Sequence, residues 1–273
     1  MVERLDLLLE RLCDREEIPD LSNELTGEEQ ECETHFQRTH ARDENGRYVI
    51  RLPFKSSMKG AQLGDSLTPC KAMLKSLEKR FERDSKLESS YSDFMYEYEK
   101  LGHMKRVNDN FFVNKPNYYF LPHHGVIKED STTTKLRIVF NASYITLSGY
   151  SLNDLLHAGA NLLPDLASII LRWRKYRFAF IADIEKMYRQ IRVHIDDQHF
   201  QMIVWRWFFY ALGTLTYGMN CSPFIANRVR LQLAHDERSS FPLGAEILEE
   251  ECYMDDVTSG ADTVELALKN KKN

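Results

Sequence analysis

The feature that most restricts the fold of this chain is a pair of charges in an unfavourable setting. Asp255 and Asp256 sit side by side in Cys252-Tyr253-Met254-Asp255-Asp256-Val257, which is otherwise apolar and strand-prone. Strands disfavour Asp, and adjacent carboxylates repel one another. Either the pair is the solvated tip of a hairpin, or an opposite charge compensates it, and a divalent cation is the obvious candidate. Asp183 poses the same question, because the apolar run Phe178-Ala179-Phe180-Ile181-Ala182 has the length of a strand and stops there. If the two strands are neighbours, three carboxylates converge at one sheet edge. Hard oxygen ligands of this kind hold Mg²⁺, with waters and substrate phosphates in the remaining positions. Two such ions, about 3.5–4 Å apart, would clamp the attacking and leaving oxygens of an in-line phosphoryl transfer.

Composition limits the alternatives. The chain has 273 residues, of which 43% are hydrophobic and 28% charged, enough for a real core in one or two domains. No apolar run approaches the roughly 20 residues of a membrane span, and Met1 to Asp6 lacks the apolar segment of a signal peptide. No membrane partner is therefore expected. The five cysteines form no CxxC or Cys/His cluster, which argues against a zinc site or a disulfide framework and for a reducing, intracellular setting. The net charge of −5 is unevenly spread. Residues 1–50 hold 6 basic and 14 acidic side chains, whereas residues 51–200 hold 23 and 17. A mildly basic middle is compatible with phosphate contacts.

Periodicity supplies the elements. A leucine-rich helix is expected from Leu5 to Leu12, then a polar acidic arm, and a short strand from Arg47 to Phe54 closed by Pro53. Leu74, Leu77 and Phe81 mark one helix. Tyr91, Phe94, Met95, Tyr98 and Leu101 mark a second, capped by Ser89 or Ser90 and ended by Gly102. Tyr119 to Lys128 and Lys135 to Asn141 read as a hairpin, and Pro164 opens a helix with Leu166, Ile169, Ile170 and Trp173 inward. Val204 to Leu215 reads as strand, Ser222-Pro223 opens a helix to about Gln232, Ile247 to Met254 reads as a strand, and Lys269 to Asn273 as a ragged end.

These blocks together resemble the reverse transcriptase region of Bel/Pao-type LTR retrotransposon Pol polyproteins. The resemblance runs from about Arg47 (GRYVIRLPF) to Thr258. It is carried by Tyr118 to Lys128 (YYFLPHHGVIK), Lys135 to Ser143 (KLRIVFNAS), Ser148 to Leu155 (SGYSLNDL), Ala182 to Val193 (ADIEKMYRQIRV), Thr216 to Ala226 (TYGMNCSPFIA) and Tyr253 to Asp256 (YMDD), in the family's order and at about its spacing. It implies an α+β right-hand polymerase fold, with an antiparallel palm sheet backed by helices and with fingers inserted before and within it. The implied division is an acidic N-terminal arm or linker (1–70), fingers (71–150), first palm part (151–190), fingers insertion (191–221) and second palm part (222–273). The family's thumb, RNase H and integrase regions are absent.

The resemblance also implies roles. Asp183, Asp255 and Asp256 match the catalytic, metal-binding carboxylates for two Mg²⁺ ions, with Mn²⁺ a possible substitute; Asp183 and Asp255 would hold both ions, and Asp256 would mainly set local charge. The Ile184 carbonyl would touch the nucleotide-bound ion. Tyr188 matches the steric gate that leaves no room for a 2′-OH, the group that separates rNTP from dNTP; read without its flanks it is an ordinary core tyrosine. Lys128 and Arg137 match two cations that close on the triphosphate, Arg being able to grip phosphate bidentately. Tyr217 and Gly218 match the loop under the incoming nucleotide, and Gly218 lets backbone approach it. The implied partners are an RNA or DNA template with its primer and a dNTP. The implied context is a larger polyprotein in a cytoplasmic retroelement particle, and the implied reaction is attack of the primer 3′-OH on the α-phosphorus.

Three departures stand out. Trp205 to Thr216 is shorter than the family's fingers loop and places aromatics where a bend is needed. The chain stops soon after YMDD, and the lysine-bearing segment that follows the hairpin in the family is not clearly present. The competing reading is a truncated, catalytically inactive remnant that at most binds nucleic acid. A third, an interaction protein using its acidic arm, would make the catalytic pattern a coincidence.

Overall fold

A computed structural model describes residues 24–58, 63–112, 117–127 and 136–272. The leucine-rich segment at Leu5 to Leu12 lies outside the described residues. In chain order the elements are α1 (Gly27–Thr39), β1 (Ala41–Arg42), β2 (Tyr48–Ile50), α2 (Leu67–Phe81), α3 (Ser85–Lys100), β3 (Met104–Val107), β4 (His123–Ile127) and β5 (Leu136–Phe140). There follow α4 (Leu152–Leu155), α5 (Leu166–Trp173), β6 (Phe178–Asp183), α6 (Met187–Gln190), β7 (Arg192–Val193), β8 (Met202–Trp205) and β9 (Phe208–Leu212). The last are α7 (Ser222–Glu237), α8 (Pro242–Glu250), β10 (Cys252–Tyr253), β11 (Asp256–Ala261) and α9 (Val264–Lys272). No helix among the described residues is long and apolar enough to cross a membrane.

The strands form four small sheets, ordered β1-β2-β7, β3-β9-β8, β4-β5 and β10-β11-β6. All pairings are antiparallel except β2 with β7. The main core joins the first three sheets to α1, α2 and α3 through Phe36, Ile50, Leu74, Tyr91, Phe140 and Ile203. Residues 24–58, placed by the sequence in an arm or linker, are therefore woven into this core. A capping box between Thr26 and Glu29 starts α1, which buries Cys32 and Phe36.

The sequence pattern also missed several boundaries. Helix α3 begins at Ser85, ahead of the expected serines, because the Asp84 carboxylate accepts from the Leu87 amide at 2.9 Å. Residues Ile247–Glu250 are helical rather than extended. Pro242 at the first helical position and the run of Leu, Ala, Glu and Ile favour α8, which leaves only Cys252 and Tyr253 as strand. The expected ragged end is helix α9, tied back by the Asn270 amide donating to the Gly260 carbonyl at 3.0 Å. In α5 only Ile169 is buried, while Leu166 and Ile170 stay exposed. The shortened loop resolves into a two-residue turn between β8 and β9, in which Arg206 (φ 46°) and Trp207 (φ 65°) both adopt the left-handed backbone such a turn demands.

Candidate functional site

The register of one sheet assembles the carboxylates. β11 pairs antiparallel with β6 so that Asp256 lies opposite Asp183, and β10 pairs with β11 so that Tyr253 lies opposite Asp256. Residues directly opposed across two strands project to the same face, so the carboxylates of Asp183 and Asp256 share one. Met254 and Asp255 form the two-residue turn, and Met254 takes φ 58°, a conformation that glycine adopts more cheaply. Beyond β6, the Ile184 amide donates to the Asp255 carbonyl at 2.7 Å. That bond ties the end of one strand to the tip of the hairpin, so Asp183 meets the distant pair Asp255 and Asp256 at one sheet edge.

All three aspartates are exposed. Partial burial, followed by the charges of Asp255, Asp256 and Glu185, pushes the Asp183 carboxyl above its ordinary range. Among the described residues no three acidic, histidine or cysteine side chains are gathered into a preformed metal cage. Solvent-facing oxygen donors that repel one another and keep room for water and phosphate are nonetheless the chemistry that Mg²⁺ accepts, since it dehydrates reluctantly and seldom uses all-protein cages. The residues present fit such an ion.

The turn after Asp183 is held by helix α3. Lys186 has φ 53°, and its ammonium lies 2.9 Å from Glu97 of α3 and 3.5 Å from Glu185. Its bond to Lys186 draws the Glu97 carboxyl below the ordinary range. The same turn leads into α6, where Tyr188 meets Tyr217 edge-on, with ring centroids 4.5 Å apart. Both phenols are raised, chiefly by burial. Tyr188 also feels Tyr217 and Asp255, and Tyr217 feels Arg189, Asp255, Arg137 and Asp183. Tyr217 thus lies within electrostatic reach of both the acidic edge and the cation on β5. Arg137 is exposed there, opposite Val126 of β4. Lys128 lies outside the described residues.

Two expected backbone roles acquire further content. The Ile184 carbonyl already accepts from the Met187 amide at 3.2 Å, while its amide secures the hairpin. Gly218 has φ +102°, and a Cβ there would lie 1.9 Å from the Phe140 carbonyl oxygen. Strand β5 alone therefore requires glycine at this position, whatever approaches from the other side.

Residues without a predicted role also shape the site. Asn153 donates to the Gly218 carbonyl at 3.0 Å and accepts from the Asn220 amide at 3.0 Å, clamping the Tyr217–Gly218 loop onto α4. Arg189 lies over the rings of Phe94 and Tyr98, at 5.2 and 4.9 Å. Asn153 sits in a quoted sequence block, but its role depends on a contact 65 residues away along the chain.

No family model and no curated protein matches the sequence. Solved structures do. A foamy viral protease-reverse transcriptase in complex with an RNA/DNA hybrid aligns with 69% of this chain and 22% of its own, at 17% identity and a TM-score of 0.50. The prototype foamy virus protease-reverse transcriptase CSH mutant aligns with 69% and 22%, at 15% identity and the same TM-score. This chain thus spans about a fifth of each of these two solved chains. At such identity the likeness concerns the fold, which is the α+β fingers-and-palm architecture of reverse transcriptases.

Proposed function

We propose that this chain is the fingers-and-palm part of an RNA-directed DNA polymerase that adds dNTPs to a primer 3′-OH, in a Bel/Pao-type retrotransposon polyprotein of a cytoplasmic particle. The observation that carries this reading is the register that sets Asp183 opposite Asp256, with the hairpin tip fastened by the Ile184–Asp255 bond. Asp183, Asp255 and Asp256 would hold two Mg²⁺ ions, or Mn²⁺ in their place. Once bound, such ions supply charge neutralisation at the transferring phosphoryl group and acidify the attacking hydroxyl.

The remaining work belongs to positioning. Tyr188, braced by Tyr217, presents a ring where a ribose 2′-OH would have to fit. Arg137, with Lys128 beyond the described strand, would grip the triphosphate, and the Tyr217–Gly218 loop would lie under base and sugar. Template and primer would run along the face of the sheet that carries the aspartates. There Ile181, two residues before Asp183 and so on the same face, is 60% exposed.

The test is oligo(dT)-primed dTTP incorporation on poly(rA) with Mg²⁺ or Mn²⁺, alongside fluorescence anisotropy of the same template–primer. Metal-dependent extension supports the reading. Tight binding of the template–primer with no extension under either metal would favour the silent remnant instead.

A further inference from the structure

Helix α5 leaves an apolar face uncovered. At 3.6 residues per turn, Leu166, Ala167, Ile170 and Leu171 fall on one side of it and Ile169 and Trp173 on the other. The helix packs against β10 and β11 and buries Ile169. On the opposite side Leu166 is 44% exposed, Ile170 45% and Leu171 63%. A contiguous bare apolar face of this kind marks a contact surface. Its C-terminal end is cationic. Arg172 is paired with Glu250 at 3.1 Å, whereas Arg174 and Lys175 are exposed and have no acidic partner among the described residues.

The chain carries a segment of complementary pattern. In residues 4–15 (RLDLLLERLCDR), which lie outside the described residues, Leu5, Leu8, Leu9 and Leu12 recur at the spacing of an amphipathic helix. On such a helix Asp6, Glu10 and Asp14 fall along one flank of the leucine stripe, and Arg4, Arg11 and Arg15 along the other. A stretch of this length is marginal as a helix in water and needs a surface for its leucines.

The path of the chain brings the two within reach. Glu28 and Glu31, at the start of α1, lie 3.8 and 3.3 Å from the ring nitrogens of His157. Leu166 follows His157 by nine residues, a span of at most about 32 Å, while the fourteen residues 13–26 can bridge up to about 48 Å.

We propose that residues 4–15 dock as a helix along the exposed face of α5. Leu5, Leu8, Leu9 and Leu12 cover Leu166, Ile170 and Leu171, and the acidic flank lies beside Arg174 and Lys175. The connecting residues hold this occupant beside its site at a high effective concentration. Because α5 packs on the strands that carry Tyr253 and Asp256, docking stiffens the support of the aspartate hairpin. The inference does not depend on the polymerase reading, and its test reads proximity.

The experiment is disulfide trapping in the full chain. Cys13→Ser removes the thiol of the segment, and Cys32, Cys70, Cys221 and Cys252 are buried. With Leu8→Cys and Ile170→Cys added, mild oxidation should close a bridge within one molecule, read by mass spectrometry as a linked peptide pair from the monomer. Closure should be at least tenfold faster than with Leu8→Cys and Leu147→Cys, since Leu147 is an exposed side chain outside α5. Arg174→Glu with Lys175→Glu should slow closure at least tenfold, and Asp6→Lys with Glu10→Lys should restore it. Circular dichroism checks that each variant folds, and all the α5 substitutions fall on exposed positions. No bridge, equal rates for the two cysteine pairs, or indifference to the charge reversals would overturn the docking. Bridges formed only between molecules would overturn it too, and would make a second copy the occupant.

Discussion

Strands β8 and β6 are both apolar and of similar length, yet they meet opposite fates. Every side chain of Met202-Ile203-Val204-Trp205 is buried. In β6, Phe178 is 37% exposed and Ile181 is 60% exposed. Composition does not separate them, but their neighbours do. β8 is flanked by β9 on one edge and, on the other, by the chain at Tyr119 to Leu121, which exchanges backbone bonds with Met202. Above it, Trp205 packs on Tyr91 and Phe81. Among the described residues β6 pairs with β11 on one edge only, and Ile181, on the face it shares with the aspartates, stays open to solvent. One region is built to hold the molecule together. The other keeps a bare face beside its charges, as a surface meant to receive something should.

That contrast can be broken experimentally. At the aspartate edge, Asp255→Asn should lower nucleotide incorporation by about 10³-fold or more while leaving the circular dichroism spectrum unchanged. Wild-type incorporation by this variant would remove the carboxylates from the chemistry. In β8, Ile203→Ala should cost about 2–5 kcal/mol in urea unfolding, because a fully buried side chain leaves a cavity. Tyr188→Ala should raise rNTP use relative to dNTP by about 10- to 200-fold, the range that pocket shape commands. Unchanged sugar selectivity in steady-state incorporation would reject the gate.

A fourth test is electrostatic. The folded state holds the Asp183 proton more tightly than the unfolded chain does, so between the ordinary and the raised pKa the unfolded state binds fewer protons. Stability without divalent ions should therefore fall as pH rises through that interval, and Asp183→Asn should flatten the fall. Urea midpoints measured from acid to neutral pH with excess chelator decide it, and identical slopes for the two proteins would count against it. The smallest effect belongs to Ile181→Ser, expected within about 0.5 kcal/mol because that side chain is already in water. A loss as large as that of Ile203→Ala would mean that β6 is covered after all.

What the sequence disclosed follows from the same contrast. The apolar stripes of α2 and α3 were readable because Leu74, Leu77, Tyr91, Met95 and Tyr98 do face the core. Asp183 and the YMDD pair were conspicuous because charge is out of place at the end of an apolar strand. Contacts that close over long stretches of chain were not readable. Asn153 holds Gly218, Lys186 holds Glu97, and Gly218 owes its glycine to the carbonyl of Phe140. Local rules also competed. Ser89 and Ser90 are plausible caps, but Asp84 stands earlier and wins; the Ile-Leu pair at 247–248 reads as strand until Pro242 is counted as a helix start.

One consequence of the sheet order has a practical side. With β11 on a single side, β6 keeps a row of amide and carbonyl groups along its outer rim with no strand beside them among the described residues. Such a rim invites annealing to any extended peptide, another molecule of the same protein included. Concentrated preparations should therefore turn cloudy with time. A lysine in place of Ala179, which would set a charge on this edge strand, should keep them clear.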